Sequence, residues 1–236
     1  MIFPLETFTY FSMITSLYFV LKYLLCEKTA SKKKVSLAMA LTVSYLILMG
    51  LFQFGANMAN ATEKCNGTPQ ILPVISYTLA PNIFIFGALL VALMLFPGWK
   101  APFSNTLGYL TVKLMGVESV FLNILKPEEE LPKLLSMVYK DPSMMINEIT
   151  PENFDTFLYK MEESDSILND YIKDDDKDDL YKLVVIKDRV ADFMWYMFTG
   201  YLVIQNSFSY IMSIKCKRNS DELANELDNV LDNPVE

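Results

Sequence analysis

The segment from residue 75 to residue 110 reads ISYTLAPNIFIFGALLVALMLFPGWKAPFSNTLGYL and joins an apolar run to a stiff corner. Residues 75–95 carry no charge, and a helix of about 20 residues is long enough to cross the hydrocarbon core of a bilayer. The corner that follows brings two prolines, a glycine, a tryptophan and a lysine together. The segment therefore predicts a membrane-crossing helix that ends at the lipid headgroup layer.

Four runs of this kind occur along the chain. They cover Phe8–Leu25, in which Lys22 is the sole charge, and also Val35–Ala61, Gln70–Trp99 and Phe193–Ile214. Hydrophobic residues make up 52% of the chain, and their gathering into such long blocks is typical of membrane proteins. The predicted fold class is therefore all-α, with four clear transmembrane helices. These helices are placed at about 8–25, 35–54, 71–96 and 190–214.

A fifth segment, 106–125, has the length of a transmembrane helix but contains Lys113 and Glu118. Its apolar residues recur at steps of three and four, which is the stripe of an amphipathic helix. The stripe consists of Leu107, Leu110, Leu114, Val117, Phe121 and Ile124. The segment is predicted either to cross the membrane with its polar side against other helices or to lie in the interface.

The distribution of basic residues favours the crossing. Lysines occupy the first loop, 26–34, and basic residues follow the last apolar run at 215–218, and such clusters mark the cytoplasmic side of a membrane. The two clusters share a side only if the chain crosses five times. This arrangement places the loop 55–70 and the acidic segment 126–189 on the opposite side.

Two Asn-x-Thr sequons lie in the loop 55–70, so Asn60 and Asn66 are candidate N-glycosylation sites. The three cysteines, Cys26, Cys65 and Cys216, are too few and too scattered to predict a disulfide framework. Cys26 and Cys216 each lie beside lysines next to an apolar run, so both are candidate palmitoylation sites. The N-terminus lacks the basic region and cleavage site of a signal peptide, so the first run is expected to stay as an anchor.

The corner after the third run is predicted to be a rigid interfacial hairpin. The first proline ends the helix, and the tryptophan ring and lysine ammonium suit the headgroup layer. The second proline stiffens the turn, and a serine or asparagine caps a helix that starts near residue 106. The predicted anchor and hairpin residues are Pro97, Trp99, Lys100, Pro102, Ser104 and Asn105.

The acidic excess of the chain is confined to one segment. Residues 126–189 contain 9 Lys and Arg against 17 Asp and Glu, whereas the remainder is balanced. The helix starts at Asp141-Pro142 and Thr150-Pro151 predict a small helical extramembrane domain, and an acidic tail, 215–236, follows the last run. The acidity argues against a nucleic-acid partner, since phosphate binding needs Lys and Arg.

Neither a metal site nor another cofactor is predicted. The acidic run 174–179, DDDKDD, is similar to the start of an EF-hand loop, which requires glycine at its sixth position and glutamate at its twelfth. Those positions hold Asp179 and Val185, so the run is predicted to be a solvated acidic loop.

An enzyme is not predicted, because the chain has no histidine, no Gly-rich phosphate loop and no nucleophile motif. A channel or transporter subunit is the alternative function, since ionisable and polar side chains inside apolar segments mark ion or substrate pathways. In that alternative, polar faces meet around Lys113, Glu118, Gln205 and Asn206.

The corner segment FPGWKAPFSNTLGYL, Phe96–Leu110, resembles a segment of membrane proteins of nucleocytoplasmic large DNA viruses. The resemblance implies an integral protein of the virion internal membrane, which derives from host endomembranes. It implies that residues 126–189 contact minor capsid or other virion proteins, and it implies no catalytic residues. The predicted function is a structural membrane protein that anchors the internal membrane to the capsid shell, with the lipid bilayer and neighbouring proteins as its partners.

Overall fold

The computed structural model describes residues 4–26, 31–127, 136–163, 168 and 174–216. Across these residues the regular elements are helices, which confirms the all-α fold class. In chain order they are α1 Pro4–Cys26, α2 Ser31–Lys64, α3 Ile71–Leu95, α4 Pro97–Leu114, α5 Val117–Ile124, α6 Ser136–Lys140, α7 Ser143–Ile146, α8 Phe154–Glu163 and α9 Asp174–Ser213. An isolated antiparallel bridge pairs Leu125 with Leu168.

Within the described part of the chain, three helical segments are long and apolar enough to cross a membrane: Leu5–Leu25, Ser36–Lys64 and Ile71–Leu95. The pair α4 and α5 would provide a fourth if it formed one span, but its two parts meet at 86°. The C-terminal run, predicted as a fourth clear crossing, is not among them, because Gln205, Asn206 and several serines and tyrosines dilute its apolar residues.

The outward faces of α1, α2 and α3 are apolar. Leu17 of α1 is 58% exposed, Ile47 of α2 is 59% exposed and Phe84 of α3 is 76% exposed. Large exposed apolar surfaces mark contact with a membrane or another protein. These faces are compatible with contact to lipid.

α2 ends in a left-handed turn. Asn66 has φ 50° and Gly67 has φ 88°, and the Gly67 N–H donates to the Thr62 carbonyl at 2.8 Å. A bond of this kind, with a glycine in the left-handed region, is a common C-terminal cap of helices. The turn ends α2 and leaves the Asn66 side chain exposed.

α3 continues through a proline. Pro81 lies inside the helix, where it removes a backbone donor, and Asn82–Gly87 widen into a π-helix before the α-helix resumes at Ala88. α3 ends at Leu95, because the backbone of Phe96 leaves the helical conformation ahead of a proline.

α9 is a single helix of 40 residues and is therefore about 60 Å long. That length is about twice the thickness of the hydrocarbon core of a bilayer, so a helix like this extends beyond one. Its first turn consists of Asp174, Asp175 and Asp176, whose carboxylates interact favourably with the positive end of the helix dipole. The prediction of a loop at DDDKDD is wrong, because the run forms the start of α9.

The chain divides into two compact units. The bundle unit combines Met1–Val91 with Tyr196–Glu236, and the inserted unit consists of Ala92–Trp195. These boundaries differ from the predicted ones after residues 125 and 189, because α5 shares a core with the acidic segment. α9 contributes its first half to the inserted unit and its second half to the bundle unit.

An aromatic cluster lies in the core of the bundle unit. Tyr18 of α1 stacks on Tyr45 of α2 with ring centroids 4.4 Å apart, and Tyr196 of α9 stacks on Tyr18 at 6.0 Å. Phe86 of α3 meets Tyr196 edge-on at 5.1 Å. Aromatic pairs contribute about 0.5–1.5 kcal/mol each beyond their burial. The second half of α9 thus packs among the three apolar helices.

The apolar stripe predicted on residues 106–125 splits between α4 and α5. In α5, Val117, Phe121 and Ile124 are buried in the core of the inserted unit. In α4 the three leucines are exposed, and Leu114 is 83% exposed. The split follows from the bend at Gly116, whose φ of 91° lies in the left-handed region that favours glycine.

The acidic segment supplies the other side of this core. Its buried apolar residues are Val138, Ile146, Ile149, Phe154, Leu158, Met161, Leu168, Leu180, Leu183 and Val184. On α8, Phe154, Leu158 and Met161 are buried in this core, and Phe157 packs against it partly buried. The acidic tail lies outside the described residues from residue 217 onward.

We expect Gly200→Ala to destabilise the bundle unit. An added β-carbon on Gly200 of α9 would lie 1.9 Å from Cζ of Phe11 on α1, so the ring would have to move. Overpacking of this kind costs about 1–3 kcal/mol in protein cores. The loss is measured as a lower thermal midpoint of the full chain in detergent micelles, followed by circular dichroism.

Gly50→Ala on α2 is the matched control, because nothing lies within 4 Å of its added β-carbon. Alanine favours a helix over glycine by about 1 kcal/mol, so this variant should be as stable as the native chain or more so. Equal midpoints for the two variants would contradict the packing of α9 against α1.

Candidate functional site

A partly buried lysine joins the two ends of the inserted unit. The Lys100 ammonium on α4 lies 2.9 Å from a carboxylate oxygen of Asp188 and 3.2 Å from one of Asp192, both on α9. The three side chains are only 16%, 10% and 12% exposed. Asp188 and Asp192 are four residues apart, so they share one face of the helix. We call these residues, together with Trp99 and Trp195, the junction.

The charged groups of the junction shift the pKa values of one another. Burial lowers the pKa of Lys100, but Asp192 and Asp188 together outweigh it and hold the pKa above its usual value. Burial and the neighbouring Asp192 carboxylate raise the pKa of Asp188, while Lys100 opposes them. Arg189 adds a longer contact to Asp192, at 3.5 Å. The ammonium therefore offsets part of the repulsion between the two carboxylates.

Two aromatic contacts complete the junction. The indole N–H of Trp195 donates to the backbone carbonyl of Trp99 at 2.9 Å. Phe103 meets the Trp195 ring edge-on, with centroids 5.1 Å apart. These contacts join the residues by which the chain enters the inserted unit to those by which it leaves. The first and the last residues of the inserted unit are therefore in contact with each other.

α4 approaches α9 through small residues. Ser104, Gly108 and Val112 recur every four residues and are buried. A β-carbon on Gly108 would lie 2.6 Å from the backbone oxygen of Lys187, so only glycine allows this approach. The leucine face of α4 lies on the opposite side of the helix, since its residues fall between these positions.

A second buried lysine holds α7 to α9. The Lys187 ammonium donates to the carbonyls of Ile146 and Asn147 at 2.7 and 3.3 Å, at the end of α7. Carbonyls at a helix C-terminus lack intrahelical partners, so a cation there is favourable. Burial lowers the pKa of Lys187 to about 8, against the opposing effect of Asp188 and Glu148.

The predicted hairpin residues have different roles from those expected. Pro97 begins α4, and Pro102 lies within it, so the corner is helical and not a hairpin turn. Ser104 and Asn105 lie in a π-helical stretch of α4 and cap no helix start. Trp99 is 53% exposed, whereas Lys100 binds carboxylates instead of facing outward.

A polar network crosses the core of the bundle unit. The Gln53 amide on α2 donates to the Ser207 hydroxyl on α9 at 3.1 Å and accepts from the Asn82 amide on α3 at 2.6 Å. One turn further along α2, Asn57 donates to the Thr78 hydroxyl at 2.8 Å. Side-chain hydrogen bonds between helices stabilise bundles in lipid by about 0.6 kcal/mol each on average.

A small cavity of about 20 Å³ adjoins Gln53 and Asn82. Apolar residues of the bundle core form the rest of its wall, and a volume of this size holds about one water molecule. The π-helix after Pro81 begins at Asn82, on α3. The cavity therefore lies beside the hydrogen bond between Gln53 and Asn82.

The residues predicted for a pore lie elsewhere. In the inserted unit, Lys113 and Glu118 form a partly exposed ion pair at 3.0 Å, and Tyr109 donates a hydrogen bond to the same carboxylate. In the bundle unit, the Asn206 amide donates to the carbonyl of Leu202 on its own helix. Among the described residues, no group of His, Cys, Asp or Glu has the arrangement of a metal site.

The candidate modification sites differ in their accessibility. Asn60 is 2% exposed inside α2, whereas Asn66 is exposed in the turn that follows. Cys216 forms a disulfide with Cys65, so it is not a free thiol for palmitoylation. The side chain of Cys26 lies outside the described residues.

Sequence reasoning missed the partners of the junction and of the polar network. Gln53, Asn57 and Asn60 recur at steps of four and three within an apolar run, and this pattern would have indicated a polar face on α2. Asp188 and Asp192 show the same helical spacing just before the last apolar run. The pairing of Cys65 with Cys216 has no local signal, since 151 residues separate them.

Lys100→Met should destabilise the inserted unit, because it leaves the buried Asp188 carboxylate without its ion-pair partner and Asp192 with only the longer contact to Arg189. Removing one member of a buried ion pair costs on the order of 3 kcal/mol. The chain has two tryptophans, and both belong to the junction, so intrinsic fluorescence during denaturation reports on it directly. We expect the fluorescence transition to move to lower denaturant.

Lys177→Met serves as the control, since Lys177 forms a more exposed pair with Glu162 at 2.7 Å and such pairs contribute at most about 1 kcal/mol. Combining Lys100→Met with Asp188→Asn and Asp192→Asn should restore part of the lost stability. Equal transitions for the Lys100 and Lys177 variants would show that the junction does not stabilise the unit.

Comparison of the chain with protein-family models, with curated proteins and with solved structures finds no match.

Proposed function

We propose that this chain is a structural membrane protein that anchors a folded acidic unit to a bilayer and binds a neighbouring protein through that unit. The observation that carries the proposal is the junction, in which Lys100 bridges Asp188 and Asp192. It closes the inserted unit at its own ends, so a body with its own core is attached to a bundle of apolar helices. Such an arrangement suits a role in holding partners at a membrane.

The proposal includes four membrane crossings. α1, α2 and α3 provide three, and the second half of α9 provides the fourth, since Tyr196–Ser213 carries no charge and packs among the other three. Segment 106–125 does not cross in this proposal, because α5 is buried in the core of the inserted unit. α4 instead rests its leucine face in the bilayer interface, where amphipathic helices bind by their apolar side.

The inserted unit offers an acidic surface to a partner. Exposed carboxylates on it include Asp141, Glu148, Glu152, Asp155, Glu162, Glu163, Asp174, Asp175, Asp178 and Asp179. A surface with an excess of one sign attracts a partner of the opposite sign and does so less at high salt. The partner is therefore a protein with a basic face, bound in a salt-dependent way.

The resemblance of Phe96–Leu110 to membrane proteins of large DNA viruses supports a more specific form of the proposal. In that form the bilayer is the internal membrane of a virus particle, and the partner is a minor capsid protein or another virion protein. The inserted unit then ties this membrane to the capsid shell.

The test is cross-linking followed by mass spectrometry on purified virus particles. Lysines on the inserted unit, such as Lys140, Lys160 and Lys182, should cross-link to one basic capsid protein, with a yield that falls as salt rises. The chain should also stay in vesicles washed with carbonate. Release by carbonate would overturn membrane anchoring, and absence from the particles would overturn the virion form of the proposal.

A channel or transporter subunit is the second candidate, and the polar network around Gln53 and Asn82 favours it. If the network conducts, purified chain in liposomes should pass ions, and Gln53→Leu should abolish the flux. Ser76→Ala is the control, because that hydroxyl bonds to its own helix at Leu72 and is exposed. Absence of flux in the native chain would leave the network as contacts between helices.

A further inference from the structure

We infer that the Cys65–Cys216 disulfide fixes the membrane topology: it lies in an oxidising compartment, where Asn66 accepts an N-linked glycan, and the inserted unit faces the opposite compartment. The inference rests on the four crossings proposed above. It reverses the side expected for the acidic segment and selects one of the two sequons.

Three contacts bring the end of α2 to the end of α9. Cys65 follows α2 directly, and Cys216 lies three residues after α9, with their Cα atoms 5.4 Å apart. The Lys64 ammonium donates to the carbonyls of Met212 and Ile214, and the latter distance is 2.9 Å. The disulfide and these hydrogen bonds place both helix ends on one side of the membrane.

Counting crossings then decides the side of the inserted unit. From Cys65 the chain crosses once through α3 and must cross back once to reach Cys216. The second half of α9 makes this return, so the residues between the two crossings lie on the other side. That side is also the side on which α2 begins, with Lys32, Lys33 and Lys34 in its first turn. Five crossings would separate Cys65 from Cys216 and are incompatible with the bond.

The distribution of basic residues agrees with this arrangement. The lysines of 26–34 then share their side with Lys100, which follows α3, and with Lys187 and Arg189, which precede the crossing half of α9. Positive charges near membrane ends favour the cytoplasmic side. The tail at 215–218 lies on the opposite side despite its basic residues, because a covalent bond constrains the chain more strongly than a charge preference.

The disulfide indicates which compartment lies on the Cys65 side of the membrane. Disulfides persist in oxidising environments such as the secretory lumen and are rare in the reducing cytosol. The side of Cys65 is therefore the lumen of a secretory membrane, and the inserted unit faces the cytosol. A cytosolic partner is the consequence for the proposed function.

Asn66 is the sequon that such a compartment can modify. It is exposed in the turn next to Cys65, whereas Asn60 is 2% exposed within α2. In the reaction, the Asn66 amide nitrogen bonds to the anomeric carbon of a lipid-linked oligosaccharide diphosphate. The sugar–phosphate bond breaks, the lipid diphosphate leaves, and the amide proton passes to the transferase. Glycan attachment at Asn66 requires no change in α2.

The test uses the full chain synthesised into sealed endoplasmic-reticulum vesicles. Each sequon is removed through its threonine, so the asparagines stay in place: Thr68→Ala for Asn66 and Thr62→Ala for Asn60. We expect one endoglycosidase-sensitive glycan, lost in Thr68→Ala and kept in Thr62→Ala. A glycan kept in Thr68→Ala, or a chain without any glycan, would overturn the assignment of Asn66.

The side of the inserted unit is read in the same vesicles. Asp178→Cys, made with Cys26→Ala, carries an exposed thiol on α9 that a membrane-impermeant maleimide should label without detergent. Labelling only after detergent would put the inserted unit in the lumen and overturn the topology. In the native chain, one thiol of three should react before reduction and three after it. Three reactive thiols before reduction would overturn the disulfide.

These outcomes are distinguishable from failure of the proposed function. A chain that resists carbonate but has the wrong labelling pattern is a membrane anchor with a different topology. A chain that carbonate releases is not an anchor, whatever its labelling pattern.

Discussion

The fold depends on α9, a helix twice as long as a bilayer is thick. Its first half supplies Leu180, Leu183 and Val184 to the core of the inserted unit, and its second half supplies Val203 and Ile204 to the core of the bundle unit. Because backbone hydrogen bonds continue along it, the chain passes from an acidic sequence to an apolar one without a loop. The change in composition along one helix therefore separates the part suited to water from the part suited to lipid.

The interior of each unit is stabilised by a different kind of polar interaction. In the inserted unit, an ion triad and two tryptophans join the ends, and water at its surface limits the strength of exposed pairs. In the bundle unit, neutral amides and hydroxyls bond across helices whose outer faces are apolar. Neutral groups are suited to that setting, since a charge in hydrocarbon costs several kcal/mol more than an amide or hydroxyl. The sequence thus places each kind of polar contact where its surroundings favour it.

The corner at residues 96–110 shows how a local pattern acquires its role from distant partners. Its prolines lie at the beginning of a helix. Proline is tolerated there because the backbone N–H that it lacks would have no hydrogen-bond partner within the helix. Its lysine binds carboxylates 88 and 92 residues away along the chain, and its glycine allows α4 to contact α9. A segment that indicates a membrane-surface turn by composition is in fact the place where the inserted unit closes.

The sequence by itself determined the all-α class, the three apolar spans and the acidity of the segment 126–189, because helix period, run length and charge are local properties. Only the tertiary structure decided that the 106–125 stripe divides at Gly116, that Lys100 binds Asp188, and that Cys65 pairs with Cys216. Each of these depends on residues far apart in the chain, so it follows from how the helices pack. Composition sets which surfaces avoid water, whereas packing sets which surfaces meet.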